Sequence, residues 1–387
     1  MKTLWLTSWY PNKLSPFNGD FIKRHAEAVS LYEDVHVIYV VRDEKGELTK
    51  DVLIEESVSG RLTETIMSYY SNPIYFSLAD KFFSEKKFRR LYKDAVNRYI
   101  QEKGEPEIVH VHVGMKAGAV ALWLKKKKNI PYVVTEHWSG FLEEAKEKFS
   151  DLPFYFRSAW NKVMQNTRAC SVVSHHLAAA IRKHFFISSC KVIPNVVNTK
   201  FFYPATEIPK TTPQFIHVSG LDALKNPEAI LKAFRIVLKN YPAATLEIFG
   251  SQRNEIVRLA KAMQLQDNIS FYPEVPQLLL AEHVRRSDAL ILYSSYETFG
   301  CVIIEANACG VPVIVSDIPV FHETVKEGEN GNFAQANNPT ALAEKMIAII
   351  KNCSIFDSKA IATITRSKYS YEVVGKQFSD WYREVLS

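Results

Sequence analysis

Short runs of β-branched and aliphatic residues alternate along this chain with longer segments whose apolar residues recur at helical spacing. That alternation limits what the chain can fold into. In the first half the runs are TLWLTS (3–8), VHVIYVV (35–41), EIVHVHV (107–113), PYVVTEH (131–137) and ACSVVS (169–174). In the second half they are PQFIHVSG (213–220), ATLEIFG (244–250), DALILY (288–293) and VPVIVSD (311–317). Several are continuous Val/Ile/Leu stretches, the pattern of parallel strands covered on both faces. Between them, segments such as KNPEAILKAFRIVLKN (225–240) and NPTALAEKMIAIIKN (338–352) have polar starts and a helical apolar period. A chain of 387 residues is too long for one core. Strand then helix, repeated in both halves, therefore predicts an α/β fold of two doubly wound, Rossmann-like domains. The periodicity lapses from Asn195 to Phe215, a stretch rich in proline and threonine, which reads as the linker.

Composition removes several classes. At 47% hydrophobic and 23% charged the chain is too apolar for disorder. The opening MKTLWLTSWYPNK reads as a first strand rather than a signal peptide. No window approaches the roughly 18 uncharged apolar residues of a membrane-spanning helix. The five cysteines, Cys170, Cys190, Cys301, Cys309 and Cys353, are odd in number and form no CxxC. Disulfides and a thiolate metal site are not expected, and a cytoplasmic location fits. No His/Asp/Glu grouping has metal-ligand spacing along the sequence, so neither a metal nor another cofactor is expected. The net charge of +6 suits an anionic ligand or an anionic membrane face, without the dense clustering of a nucleic-acid binder.

Two open sheets facing each other leave a cleft at the carboxyl ends of their strands, where ligands bind in this architecture. The loops that would line it contain Gly19, His137, Ser174, Gly220 to Lys225, Gly250 and, most informatively, YETFGCVIIEANACGVPVIVSD (296–317). Here a helix should begin near Phe299-Gly300, after the strand DALILY. Its first amides, with the positive end of the helix dipole, make a diphosphate site. Gly300 lets a phosphate oxygen approach the backbone. Glu305, about one and a half turns into the helix, could accept hydrogen bonds from vicinal ribose hydroxyls, while Glu297, before it, would reach the sugar end of the same ligand. Each residue also has a plainer reading. Two glutamates eight apart fit a solvated helix face, and His137, flanked by Glu136 and Trp138, fits a structural histidine. Lys225 at a helix start is disfavoured by the dipole unless an anion is present.

Glu297-Thr298-Phe299-Gly300 through Glu305, followed by ACGVPVI, resembles the Glu, seven residues, Glu motif of family 4 glycosyltransferases, retaining enzymes of the GT-B fold. The resemblance covers nearly the whole chain. SWYPNKLSPFNGDFIKRHAEAV resembles the family's opening glycine loop. ACSVVSHHLAAAIRKHF, KVIPNVVNTKFFYP and VSGLDALKNPEAILKAF resemble its domain junction and the start of its nucleotide domain, and FHETVKEGENGNFA its later glycine turn. The resemblance implies an acceptor-binding domain at 1–200, a nucleotide-sugar domain at 207–368, and a helix at 370–387 that packs back on the first. It implies that Lys225 neutralises the donor diphosphate and that Gly19 presents its amide to the same phosphates. Glu305 would hold the ribose and Glu297 the donor sugar, with Thr298, Phe299 and Gly300 at the pyrophosphate and His137 beside the transferred sugar. Gly220 and Gly250 fall on the donor-binding loops. The chain departs from the pattern in having Gly220 where many members have arginine, Gly250-Ser251-Gln252 for a Gly-x-Gly, and Pro273 for a glycine.

The function implied is transfer of a sugar from a nucleotide-sugar to a hydroxyl acceptor with retention, in cell-envelope or capsular polysaccharide or glycolipid synthesis. The family's account has the acceptor attack from the leaving-group face with the departing phosphate as base. No carboxylate pair suited to double displacement stands out. The expected partners are a nucleotide-sugar donor, a lipid-linked or saccharide acceptor and an anionic membrane surface, with no nucleic acid. From Lys81 to Arg98, KFFSEKKFRRLYKDAVNR carries seven Lys/Arg beside an apolar stripe of Phe88, Leu91, Tyr92, Ala95, Val96 and Tyr99. That stripe suits either a core or the inner face of the plasma membrane. LKKKK (124–128) reads as the end of a helix. A nucleotide-sugar epimerase of the same architecture and a non-catalytic sugar-nucleotide-binding protein are the alternatives.

Overall fold

Parallel pairing organises the backbone throughout the computed structural model, which describes residues 1–70, 77–187, 190–205, 212–251, 253–352 and 355–387, with the backbone alone along 77–83. Gln252, Cys353, the linker residues 206–211 and the side chains of Lys81, Phe82 and Phe83 lie outside the described residues. The chain divides into one unit of Met1–Pro194 with Tyr371–Ser387 and a second of Asn195–Ser370.

The first unit starts with β1 (Lys2–Thr7), α1 (Asp20–Val29), β2 (Asp34–Asp43), β3 (Val52–Ser59), β4 (Leu62–Tyr70) and α2 (Ser77–Lys103). It continues with β5 (Ile108–His112), α3 (Ala117–Lys128), β6 (Tyr132–Glu136), α4 (Phe154–Asn166), β7 (Ala169–Val172), α5 (His175–Arg182) and β8 (Cys190–Val192). The sheet order is β3-β4-β2-β1-β5-β6-β7-β8. Neighbours are parallel except β3 against β4. The central strands β5 (IVHVH) and β6 (YVVTE) are buried at every position, their His, Thr and Glu side chains included, because both faces of the sheet are covered. The β3–β4 hairpin was not among the expected strands. β3 is an edge strand, mostly exposed and interrupted by Glu55 and Glu56, so it lacks the apolar run that marked the others.

α2 settles the orientation of the apolar stripe. Phe88, Leu91, Tyr92, Ala95, Val96 and Tyr99 are all buried, so the stripe faces the unit's own core and not a membrane. Tyr92 pins the helix to the sheet: its hydroxyl accepts from the Thr7 amide at 2.9 Å and donates to the Ile38 carbonyl at 2.6 Å. Several charges on the outer face find partners within the chain, Arg89 on Glu85 and Arg98 on Glu56 and Glu102. Lys87 donates to the Tyr70 carbonyl.

The second unit contains β9 (Gln214–Val218), α6 (Pro227–Asn240), β10 (Thr245–Phe249), α7 (Asn254–Ala262), β11 (Ile269–Tyr272) and α8 (Gln277–Arg286). After these come β12 (Ala289–Leu292), α9 (Cys301–Ala308), β13 (Val313–Ser316), β14 (Gly331–Ala334), α10 (Pro339–Lys351) and α11 (Ser358–Tyr369). Its six parallel strands run β11-β10-β9-β12-β13-β14, so the winding reverses between β9 and β12. A ligand crevice opens at such a reversal, outside the carboxyl ends of the two strands. Phe215, Leu246, Ile291 and Ile314 from the sheet pack with Ile230, Phe234, Leu342 and Met346 from the helices. Burying each such side chain contributes about 1.5–3 kcal/mol. β11 and β14, like β8, are short strands absent from the expected set; β11 and β14 are edges of the sheet.

The last helix, α12 (Tyr371–Leu386), belongs to the first unit and packs along α1. Gly375 permits the approach, since a Cβ there would stand 2.1 Å from the Ala28 carbonyl oxygen. Ser379 and Arg383 of α12 meet the buried carboxylate of Glu33, which also holds the N-terminal amine at 2.8 Å.

Candidate functional site

The two loops flanking the reversal point are tied together by one backbone hydrogen bond and by the Asn226 side chain. The Ser295 amide donates to the Leu224 carbonyl at 2.8 Å, and Asn226 Nδ2 donates to Ser295 Oγ at 2.9 Å and to the Tyr293 carbonyl at 3.2 Å. Asn226 adopts a left-handed conformation (φ 48°) and Pro227 opens α6. Lys225 therefore does not sit in α6 itself; it ends the preceding one-turn helix, 223–225. This turn carries its ammonium to Glu297, with which it forms an ion pair. Ser294 Oγ donates to the same carboxylate oxygen at 3.1 Å. The two side chains are only 18% and 13% exposed, so their pairing is shielded far more than a surface contact.

A buried polar relay holds the Lys225 loop in shape. His217 on β9 hydrogen-bonds the Ile291 carbonyl of β12 at 2.8 Å through Nδ1 and Ser219 Oγ at 2.7 Å through Nε2. A carbonyl only accepts, so Nδ1 carries the proton and the serine hydroxyl donates to Nε2. Ser219 Oγ then accepts from the Leu221 amide at 3.1 Å. Burial, helped by the Lys225 charge, pushes His217 down to about 4, so the ring is neutral. Leu221 is held at φ 52°, unusual for a branched side chain. Neither His217 nor Ser219 stood out in the sequence, where they read as strand residues.

Gly300 caps α9 in the left-handed region at φ 88°. A Cβ there would press on Ile303 and Phe321 at 3.0 Å. Phe299 is buried, with its ring edge-on to Tyr369 at 6.0 Å, which fixes the entry into the helix. Thr298 is half-buried beside it. The expected helix start near Phe299-Gly300 and the observed one, Cys301, agree within two residues. Glu305 lies in the second turn and is 4% exposed, so a hydroxyl reaching its carboxylate forms a charged hydrogen bond with little competition from water.

The glycines of this unit play different parts. Gly250 has φ 138°, and a Cβ on it would fall 1.7 Å from the Ser219 carbonyl oxygen. Its amide already donates to Tyr272 at 3.1 Å, so Gly250 serves close packing of the strand ends and its amide is committed within the sheet. Gly220 has no positive φ, and a Cβ would meet only Ser251 Oγ at 4.0 Å. Arg253 Nε donates to the Gly220 carbonyl at 3.2 Å, a cation beside the Gly220 to Lys225 loop that the sequence did not single out.

The remaining candidates lie in the first unit. Gly19 caps α1 at φ 68°, where a Cβ would stand 2.7 Å from the Trp9 carbonyl carbon. Phe21, in the first turn of that helix, packs on the His137 ring at 4.8 Å, so the glycine loop and His137 are neighbours. His137 is buried and its Nε2 faces His112 Nδ1 at 3.2 Å. Burial holds its pKa well below the ordinary range, with smaller repulsion from His25 and His110. Glu136 does not bond the His137 side chain. Its Oε1 accepts from the Gly114 amide at 2.7 Å and from Trp160 Nε1 at 3.2 Å, and burial raises its pKa to about 7. Ser174 accepts from the Leu177 amide as the cap of α5 and has a structural role.

Comparison with known proteins fits this geometry. The family model described as glycosyl transferases group 1 matches residues 199–364, and that described as Glycosyltransferase Family 4 matches 33–201. The chain is 23% identical to a D-inositol 3-phosphate glycosyltransferase of Geodermatophilus obscurus over 67% of its own length and 62% of the relative's. It is 25% identical to a phosphatidyl-myo-inositol mannosyltransferase of Mycobacterium leprae over 76% of its length and 77% of the relative's. An N-acetyl-alpha-D-glucosaminyl L-malate synthase of Bacillus anthracis is 29% identical over 44% of this chain and 45% of its own. The chain thus spans less than two thirds of some of these relatives. Among solved structures, a sucrose-phosphate synthase from Thermosynechococcus elongatus superimposes with a TM-score of 0.77 at 20% identity, covering 100% of this chain and 99% of that one. The Anabaena protein HepE in complex with UDP-glucose does so with 0.71 at 14% identity, covering 99% and 100%. The fold and both family models identify this chain as a family 4 glycosyltransferase of the GT-B fold.

Proposed function

We propose that the protein transfers a sugar from a nucleoside diphosphate sugar to a hydroxyl of an acceptor, with retention at the anomeric carbon. The observation that carries this reading is the meeting of Lys225 and Glu297 at the reversal of the second sheet, beside the N-terminus of α9. In this reading the diphosphate lies against the Phe299-Gly300 amides and draws the Lys225 ammonium from Glu297. The freed carboxylate, oriented by Ser294, takes hydroxyls of the transferred sugar. Glu305 takes the ribose. Charge grows on the leaving diphosphate as the glycosidic bond breaks, and the lysine, drawn into place when the donor binds, stabilises it with no further reorganisation in the transition state. The departing phosphate oxygen, on the same face as the acceptor, accepts its proton. Lys225, Glu297, Glu305 and the α9 amides hold the donor in this reading without a metal among them.

The roles of Gly19 at the phosphates and of His137 beside the sugar belong to the same proposal. Because His137 is neutral, it would act by hydrogen bonding and not as a proton donor of ordinary strength. HepE is described in complex with UDP-glucose, which favours a uridine donor. The relatives named above act, by their names, on inositol phosphate, phosphatidyl-inositol and malate. Of these only phosphatidyl-inositol is a lipid, and the relative named for it supports a lipid-linked acceptor of the cell envelope, held by the first unit at the cytoplasmic membrane face. No described helix is long and apolar enough to cross a membrane.

The test is a thermal-shift panel of UDP, GDP, ADP and their sugar conjugates, followed by NMR of the product formed with the best donor. A nucleotide-dependent rise in melting temperature and a product of unchanged anomeric configuration are expected. An inverted product would remove the retaining assignment, and binding by none of the nucleotides would remove the donor site.

A further inference from the structure

His25 on α1, His112 at the end of β5 and His137 just past β6 are all buried, and one ring nitrogen of each lies within 4.8 Å of one from both others. Their hydrogen bonds fix much of the protonation. The Pro194 carbonyl, 3.1 Å from His25 Nε2, can only accept, so His25 carries its proton on Nε2 and bares a lone pair on Nδ1. His112 Nδ1 and His137 Nε2 face each other at 3.2 Å and share one proton between them. His25 Nδ1, His112 Nε2 and His137 Nδ1 have no hydrogen-bond partner among the described residues. Buried polar nitrogens left without partners are rare in folded proteins and point to a missing water or ion; an ion in this cluster takes up His25 Nδ1, and water is the partner left for the outer nitrogens of His112 and His137.

We propose that His25 Nδ1, His112 Nδ1 and His137 Nε2 form a site for a divalent transition ion of the zinc type, which takes the place of the proton shared by His112 and His137. Ligand bonds of about 2.0–2.1 Å in a tetrahedral site set neighbouring nitrogens about 3.3 Å apart, and the His112–His137 pair already stands at 3.2 Å. A His25 nitrogen stands within 4.8 Å of the other two, and a small movement of its ring closes the third position. The shared proton moves to the outer nitrogen of the ring that held it, so all three imidazoles remain neutral and no proton leaves the protein. A donor set of imidazoles alone favours zinc and its transition-metal neighbours over magnesium or calcium. A water completes the shell, as in other three-histidine zinc sites.

The surroundings already hold the ligands in orientation. The Pro194 carbonyl on His25 Nε2 is the outer hydrogen bond that metal-binding histidines ordinarily make. Trp5 stacks on His112 at 4.2 Å, Phe21 lies on His137 at 4.8 Å and Phe378 meets His25 at 5.1 Å. A bound ion would fix His137 with its proton on Nδ1. The three ligands come from separate elements, so no spacing along the chain reveals them.

The experiment uses the full-length protein without an affinity tag, stripped with a chelator and titrated with Zn2+ or Co2+. Expected are one equivalent of tightly bound metal, the visible d–d bands of tetrahedral Co2+, and a rise in melting temperature with zinc but not with magnesium. In His25→Phe zinc affinity should fall by more than about tenfold and the cobalt bands should vanish. Wild-type protein that shows neither the bands nor the zinc-dependent rise overturns the proposal. So does a His25→Phe variant that keeps both, since the metal would then bind elsewhere. The wild-type titration decides even if the variant folds poorly.

Discussion

Lys225 Nζ and Glu297 Oε1, contributed by loops 72 residues apart in sequence, are bonded to each other at the point where the second sheet reverses its winding. In the free protein the ammonium assigned above to the diphosphate is thus neutralised by a carboxylate. On that assignment a diphosphate competes with Glu297 for it, and the two residues act together.

Replacing Lys225 by Ala should lower kcat more than it raises KM, because charge on the leaving group grows toward the transition state. Glu297→Gln should behave differently. It releases Lys225 from its partner, so nucleoside diphosphate affinity should stay the same or increase while turnover falls. Calorimetry with the nucleotide alone, beside steady-state kinetics, checks both, and weakened nucleotide binding in Glu297→Gln would contradict the competition.

Glu305→Ala should weaken nucleotide binding itself by about 1.5 to 3 kcal/mol, the range for hydrogen bonds to a charged group. The carboxylate is nearly buried, so no water takes its place at full strength. Comparing nucleoside with 2′-deoxynucleoside diphosphates in wild type and variant isolates the ribose contact. The deoxy analogue should show the smaller loss.

Two nearby glycines should respond in opposite ways to a side chain. Gly220→Arg has open space and no positive φ, so the fold should tolerate it and donor binding should be unchanged or tighter. Gly250→Ala places a Cβ on the Ser219 carbonyl at a φ that L-residues rarely adopt. It should cost several kcal/mol, on the order of a severe core substitution, and displace the Lys225 loop. Melting temperatures and donor affinities of the two variants read this contrast.

His217 should make the second unit acid-sensitive. Its folded pKa of about 4 lies below the ordinary 6.5, so as pH falls through that window the unfolded chain takes up a proton that the folded one refuses. Stability should decline between pH 6.5 and 4, by about 3 kcal/mol over the window, and His217→Gln should flatten that decline. All six tryptophans lie outside 195–370, so amide hydrogen exchange in β9 and β12 is the suitable readout.

With the apolar stripe of α2 turned inward, what the described side chains of this helix offer to a membrane is their outer charges, of which Lys86 and Arg90 are exposed. The protein should sediment with anionic vesicles at low salt and be released as salt rises, since exposed charges are screened beyond about 10 Å at 0.1 M. Lys86→Glu with Arg90→Glu should reduce sedimentation without affecting transfer to a soluble acceptor. Equal sedimentation with neutral vesicles would point to apolar insertion, against the burial of the stripe.

The sequence by itself determined the class of fold and the donor motif, because both are local. A continuous apolar run such as ALIL of β12 marks a parallel strand covered on two faces, and the start of α9 after Gly300 follows from its own glycine and the strand before it. Only the tertiary structure decided which distant groups meet. It paired Lys225 with Glu297, built the His217–Ser219 relay, turned the stripe of α2 inward, and drew His25, His112 and His137 together from three elements. It also hid the β3–β4 hairpin from pattern reading, since an exposed edge strand need not be apolar. Periodicity records which face of an element is buried, but the partner on the other side is chosen by how the sheet winds.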